Sequence, residues 1–174
     1  MVPPPHSVTI DGKTDDWDLS AGLFACGDVE AAASTYAVWL HAMWDADNLY
    51  VLARWVDPTP MNNPGSVKGD YGFKGDCLQF RVVTAADVTA DAVGRMSGKD
   101  PDAATMRTTH ATCWRDRDGA DLIDLAYGRT FKEGGIKNAK EQGARQAFAA
   151  TADGKGYVQE IAIPWKLLTK EGQG

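Results

Sequence analysis

Side chains alternate with period two across residues 36–57, YAVWLHAMWDADNLYVLARWVD. Tyr36, Val38, Leu40 and Ala42 fall on one side of the first arm, and Ala37, Trp39, His41 and Met43 on the other. After the polar run Asp45-Ala46-Asp47-Asn48, Leu49, Val51, Ala53 and Trp55 alternate with Tyr50, Leu52, Arg54 and Val56. Period two, β-branched and aromatic enrichment and an Asp/Asn turn predict a β-hairpin. Asp57-Pro58 closes it, because proline cannot donate to a ladder and pushes its predecessor into extended or turn geometry.

The same pattern recurs along the chain. Residues 7–10 predict a short strand that ends at Asp11-Gly12, a turn pair leading into Asp15-Asp16-Trp17. Residues 19–34 have no clear period. Residues 59–74, broken by Pro, Asn, Gly and Asp, read as a long surface loop of the kind that often carries function. A strand over 77–83 places Leu78, Phe80 and Val82 opposite Gln79, Arg81 and Val83, one face apolar and one mostly polar. Residues 85–96 have a weak helical pattern. Strands over 108–115 and 121–127 make a second hairpin across the charged turn 116–119. Residues 144–151 and 156–163 make a third across Asp153-Gly154, and Pro164-Trp165 ends it before one helical turn. Seven or eight short strands in three hairpins, without a long helix, predict an all-β antiparallel β-sandwich of jelly-roll or immunoglobulin-like kind.

Composition narrows the function. At 174 residues the chain is the size of one domain, and a chain of that length buries roughly 70% of its unfolded surface. No apolar run approaches the roughly 20 residues of a membrane-spanning helix. With 24 acidic against 18 basic residues the net charge is −6, which opposes a nucleic acid or other polyanion as partner. The N-terminal MVPPPHSVTIDG has no basic segment followed by an apolar core, so it does not read as a signal peptide. Its Pro-rich residues 1–6 read as a linker, and the remainder as a single domain cut from a longer protein. Cys26, Cys77 and Cys113 are odd in number and lack CxxC spacing, which makes buried thiols the plain reading. The catalytic signatures GxSxG, HExxH, the P-loop and the dinucleotide fingerprint do not occur, and no acidic pair stands out, so the reading is a binding protein rather than an enzyme.

Four segments in order, IDGKTDDW, WDADNLYVLARWVD, KGDCLQFRV and GYVQEIAIPWKLL, resemble the family-nine carbohydrate-binding modules and the related DOMON-like sandwich domains. The matching positions are Asp11, Gly12 and Trp17; Asp47, Leu49, Tyr50, Val51 and Asp57; Gly75, Asp76 and Gln79; and Tyr157, Glu160, Ile163, Pro164 and Trp165. Two features depart from the family pattern. The aromatic before the Gly-Asp pair is displaced, with Gln79 where an acid is usual, and the strand that family members add after the IPW segment is missing.

The resemblance implies a non-catalytic module that binds an oligosaccharide or polysaccharide, as an accessory to other domains of an extracellular or periplasmic protein. Sugar recognition needs flat aromatic faces and a few polar groups. Trp44 and Trp114, each beside a hairpin turn with one edge expected to be wet, are the stacking candidates. Tyr71 and Phe73 in the long loop join them, and Gln79, Arg81 and His110 on polar strand faces are the hydrogen-bonding candidates. Trp17, Trp55 and Trp165 are assigned to the core, and His41 to a packed surface. Asp15 and Asp16 read as a solvated acidic loop, with oxygen ligation of a structural calcium ion as the alternative. A sister branch resembling the haem-binding subunit of ethylbenzene dehydrogenase implies the alternative, a b-type haem for electron transfer, with Met106 and His110 as axial candidates.

Overall fold

The computed structural model describes residues 1–4, 6–59, 61–65, 72–84, 108–128, 131 and 134–169. Its strands are β1 (Leu23–Ala25), β2 (Ala37–Trp44), β3 (Asn48–Val56), β4 (Leu78–Val83), β5 (Thr108–Arg115), β6 (Asp121–Tyr127), β7 (Gly135–Ile136), β8 (Arg145–Ala150) and β9 (Gly156–Pro164). They form one sheet in the order β1-β2-β3-β9-β8 and another in the order β4-β5-β6-β7. Two compact units follow this division: residues 1–62 with 144–163, and residues 63–143 with 164–174.

All three predicted hairpins are present. In the first, Trp39 pairs with Arg54 and Trp44 with Leu49, and the pairing is unbroken from Ala37–Val56 to Trp44–Leu49. Its turn is organised by Asp45, whose carboxylate accepts from the Asp47 and Asn48 amides at 2.8 Å and from the Tyr50 hydroxyl at 2.6 Å. A short polar side chain that bonds its own backbone two residues on is what makes Asp a turn former. The second hairpin turns on Asp116, which accepts from the Asp118 and Ala120 amides, and the third turns on Thr151 and Asp153.

Residues 7–10 are not the strand that alternation suggested. The Thr9 amide goes to Asp16 Oδ2 instead of a ladder, and just after this stretch the amides of Asp11 and Gly12 go to Glu160 Oε2. Trp17 Nε1–H donates to the other oxygen, Glu160 Oε1, at 2.6 Å. This fully buried carboxylate on β9 thus fastens the DG turn and Trp17 from 143–149 positions away in sequence. Val8, Ile10 and Trp17 pack on Met43, Tyr50, Leu52 and Ala162, making the N-terminal segment a cover for one face of the five-stranded sheet. Val2, expected in a linker, bridges Met43 of β2.

The unpatterned residues 19–34 contain β1 and one turn of helix, Val29–Ala32, which Asp28 caps by accepting from the amides of Glu30 and Ala31. The 85–96 helical pattern lies outside the described residues. The short helical turn expected after Pro164 is the 3₁₀ turn Trp165–Leu167.

Candidate functional site

β4, β5 and β6 build the site. Their register sets Leu78 opposite Cys113, Phe80 opposite Ala111 and Val82 opposite Thr109, with Ile123 and Leu125 continuing that face on β6. The wholly buried Ala111, Cys113, Ile123 and Leu125 make it the packed side. Pleating then directs the alternate residues to the other side. There Gln79 stands opposite Thr112, Arg81 opposite His110, and Asp124 on β6 opposite Thr112. Gln79 and Arg81 are exposed and His110 and Thr112 half-buried. The three polar residues picked from the sequence, Gln79, Arg81 and His110, are therefore brought together on one face, with Gln79 and Arg81 exposed and His110 half-buried.

Burial, and then the neighbouring Arg81 guanidinium, push the His110 pKa below its usual value. At neutral pH its imidazole is uncharged and can donate through one nitrogen and accept through the other. Arg81 adds guanidinium donors, and Gln79 both a donor and an acceptor. Asp124, largely buried, accepts from Lys137 Nζ at 2.7 Å and from the Asn138 amide at 2.9 Å. It ties down the edge of the face. The arrangement suits hydrogen bonding to a polyhydroxylated ligand.

Residues 63–65 and 72–74 of the expected loop border this face, held by Asn63. Its buried side chain donates to the carbonyls of Gly72 and Asp76 and accepts from the Gly65 amide. Gly72 lies flat on the Trp114 ring, where an added Cβ would come within 2.5 Å of the indole. Only glycine permits that approach.

Trp114 consequently does not have the wet edge expected beside a turn. It is 2% exposed, and its indole N–H donates to the Gly65 carbonyl at 3.3 Å. The next loop residue after Gly72, Phe73, is exposed. Trp44 is exposed as expected at its turn, but it belongs to the five-stranded sheet and is not one of the residues on this face. Tyr71 and Met106 lie outside the described residues. Trp17 is buried and Trp55 and Trp165 half-buried, close to their assignment as packing residues. His41 is buried under Gly22. Among the described residues no group of three or more His, Cys, Asp or Glu is placed to hold a metal ion.

Sequence reasoning passed over Trp39. It sat in a run read as packed surface, yet it is 43% exposed in mid-strand. Alternation puts it on the side of His41 and Met43 but carries no signal of where their cover stops.

No protein-family model matches the sequence, and neither does any curated protein. Among solved structures, the chain is similar to a family-nine carbohydrate-binding module from Caldicellulosiruptor kristjanssonii in complex with cellotriose, at 16% identity and a TM-score of 0.53. It is also similar to a family-nine module from the same organism in complex with glucose, at 14% identity and a TM-score of 0.50. Each match covers 94% of this chain, which spans 66% and 68% of the respective structures. The all-β antiparallel fold expected from the hairpin pattern is thus that of the family-nine modules.

Proposed function

We propose that this chain is a non-catalytic carbohydrate-binding module that takes an oligosaccharide or polysaccharide on the open polar face of β4 and β5. The observation that carries the reading is the cross-strand pair of exposed Arg81 and half-buried His110, with exposed Gln79 and half-buried Thr112 beside it, on a sheet whose other face buries Ala111, Cys113, Ile123 and Leu125 completely. A rigid strand pair presents these groups at fixed spacing, so little side-chain freedom is lost on binding. Phe73, exposed on the loop that Asn63 and Gly72 hold in place, is the aromatic candidate for stacking against a pyranose. Trp44 offers another aromatic surface on its own sheet. The sugar complexes of the two fold neighbours support the ligand class. An accessory role within a larger extracellular or periplasmic protein is part of the same proposal.

The test is isothermal titration of the folded protein with a panel of neutral oligosaccharides, comparing wild type with Arg81→Ala and Gln79→Ala. Both variants change exposed side chains and keep the fold. A loss of at least roughly fivefold in affinity in each, about 1 kcal/mol per hydrogen-bonding group, supports the site. Sugar binding that neither substitution weakens refutes it. The alternative of a b-type haem has the half-buried, uncharged imidazole of His110 in its favour. A saturable Soret band on haemin titration, shifted by His110→Ala, would replace the sugar reading.

A further inference from the structure

We propose that the Trp39 side of β1, β2 and β3 carries a second saccharide-stacking site, built from Trp39, Phe24 and Arg54. It takes the same class of ligand as the reading above, and rests on that class, but uses none of its residues. On this side of β2 the neighbours two residues away are buried, Ala37 at 4% and His41 at 4%, and Met43 beyond them is at 0%. The N-terminal cover seals Met43, Tyr50 and Leu52. Trp39 alone stands out at 43% exposure in the middle of the strand.

The indole is held in place. Phe24 lies opposite Trp39 in the β1–β2 register, with ring centroids 5.0 Å apart and planes tilted by 45°. A tilted aromatic contact of this kind fixes one ring against the other, leaving the exposed indole surface pre-oriented. Opposite Trp39 on the other flank stands Arg54 of β3, also exposed. A cation donor therefore borders the aromatic plane on the strand pair.

The chemistry matches a pyranose ring. The axial C–H groups of a sugar carry partial positive charge and complement the negative π-face of the indole, while its hydroxyl oxygens accept from the guanidinium. A chain of net charge −6 repels a polyanion, so the occupant is a neutral sugar unit. Because the indole stands exposed in mid-strand between Phe24 and Arg54, it can meet one unit of a longer glycan. The ligand is thus a sugar unit within a polysaccharide, and the site works by raising retention on a polymer already held elsewhere on the chain.

The experiment uses the full chain and two probes, a short neutral oligosaccharide in titration and hydroxyethylcellulose in affinity electrophoresis. The Trp39 indole N–H resonance is followed by NMR in both. Trp39→Ala and Arg54→Ala are compared with Arg81→Ala, and Trp39→Phe serves as a variant that keeps an aromatic ring. The proposal expects Trp39→Ala to lower retention on the polymer by at least about tenfold while leaving oligosaccharide affinity at wild-type strength. It expects Trp39→Phe to keep part of the retention, and the Trp39 resonance to shift with polymer in wild type and in Arg81→Ala alike. A polymer effect of Trp39→Ala with none from Arg81→Ala removes the β4–β5 reading and leaves this one standing. A Trp39 resonance unmoved by polymer, with retention unchanged in Trp39→Ala, overturns it. So does a resonance that moves with protein concentration alone, which marks a contact between copies of this chain.

Discussion

Replacing Glu160 isolates the device that closes one side of the five-stranded sheet. Its carboxylate is 0% exposed and accepts from Trp17 Nε1, from the Asp11 amide at 2.9 Å and from the Gly12 amide. Hydrogen bonds to a charged acceptor contribute about 1.5–3 kcal/mol each, and an orphaned buried donor costs about 1–3 kcal/mol. Glu160→Ala strands two donors in buried surroundings, Trp17 Nε1–H and the Gly12 N–H, and leaves the Asp11 amide part-buried. Relief from burying a carboxylate offsets some of this. The net loss is about 4 kcal/mol, a large share of the roughly 5–15 kcal/mol of a domain and about 8–16 °C in Tm. Glu160→Gln keeps the volume but has one acceptor oxygen and sets an NH₂ against a donor, for a loss of about 2–3 kcal/mol.

The pH dependence gives an independent check. Burial pushes the Glu160 pKa up, and the bonds from Trp17, Gly12 and Asp11 only partly pull it back. The folded state therefore holds this proton to higher pH than the unfolded chain does, and stability falls as pH rises from the ordinary Glu value through the raised one. The depressed carboxyls of Asp11, Asp18 and Asp153 act in the opposite sense and in a lower window, below the ordinary Asp value of 3.8. Urea titrations at constant m from pH 4 to 7 separate the two. Glu160→Gln flattens the upper slope. A Gln variant within about 0.5 kcal/mol of wild type, or one that keeps the slope, refutes the reasoning.

Three shorter predictions follow from other parts of the fold. Leu52→Ala empties a fully buried position beneath the N-terminal cover and lowers stability by about 2–5 kcal/mol in denaturant unfolding, without altering sugar binding on β4–β5. Burial opposes the charge on Asp45, but bonds from Tyr50, Asp47 and Asn48 outweigh it and hold the carboxyl below its usual range. Its turn thus stabilises the protein above the ordinary Asp value and loses that contribution as pH falls through the depressed one, a slope that calorimetry finds missing in Asp45→Ala. Burial drives the Cys113 thiol far up and raises that of Cys77 to about 11, so a thiol reagent at pH 7.5 modifies Cys113 only after unfolding. Rapid Cys113 labelling of the native protein contradicts its burial.

What the sequence determines by itself is the hairpin framework and the side of each strand on which a residue falls. Asp45, Asp116 and Asp153 mark their turns because a short polar side chain bonds its own backbone, a local effect visible in a few letters. Period two placed Gln79, Arg81 and His110 on a common kind of face, and strand pairing then made them neighbours. Which faces are covered was decided only in the tertiary structure. Trp39 and Met43 share one side of β2, yet one is exposed and the other sealed, because Val2, Val8, Ile10 and Trp17 pack in the cluster around Met43 and Gly22 covers His41, while Trp39 lies beyond both. Trp114 adjoins a turn and reads as wet, but Gly72 and Gly65 of a distant loop close over it. Residues 7–10 alternate like a strand, but the Thr9 amide goes to Asp16, and the Asp11 and Gly12 amides that follow go to Glu160, rather than to a ladder. Alternation is a property of the local backbone, whereas burial depends on contacts between residues far apart in the chain.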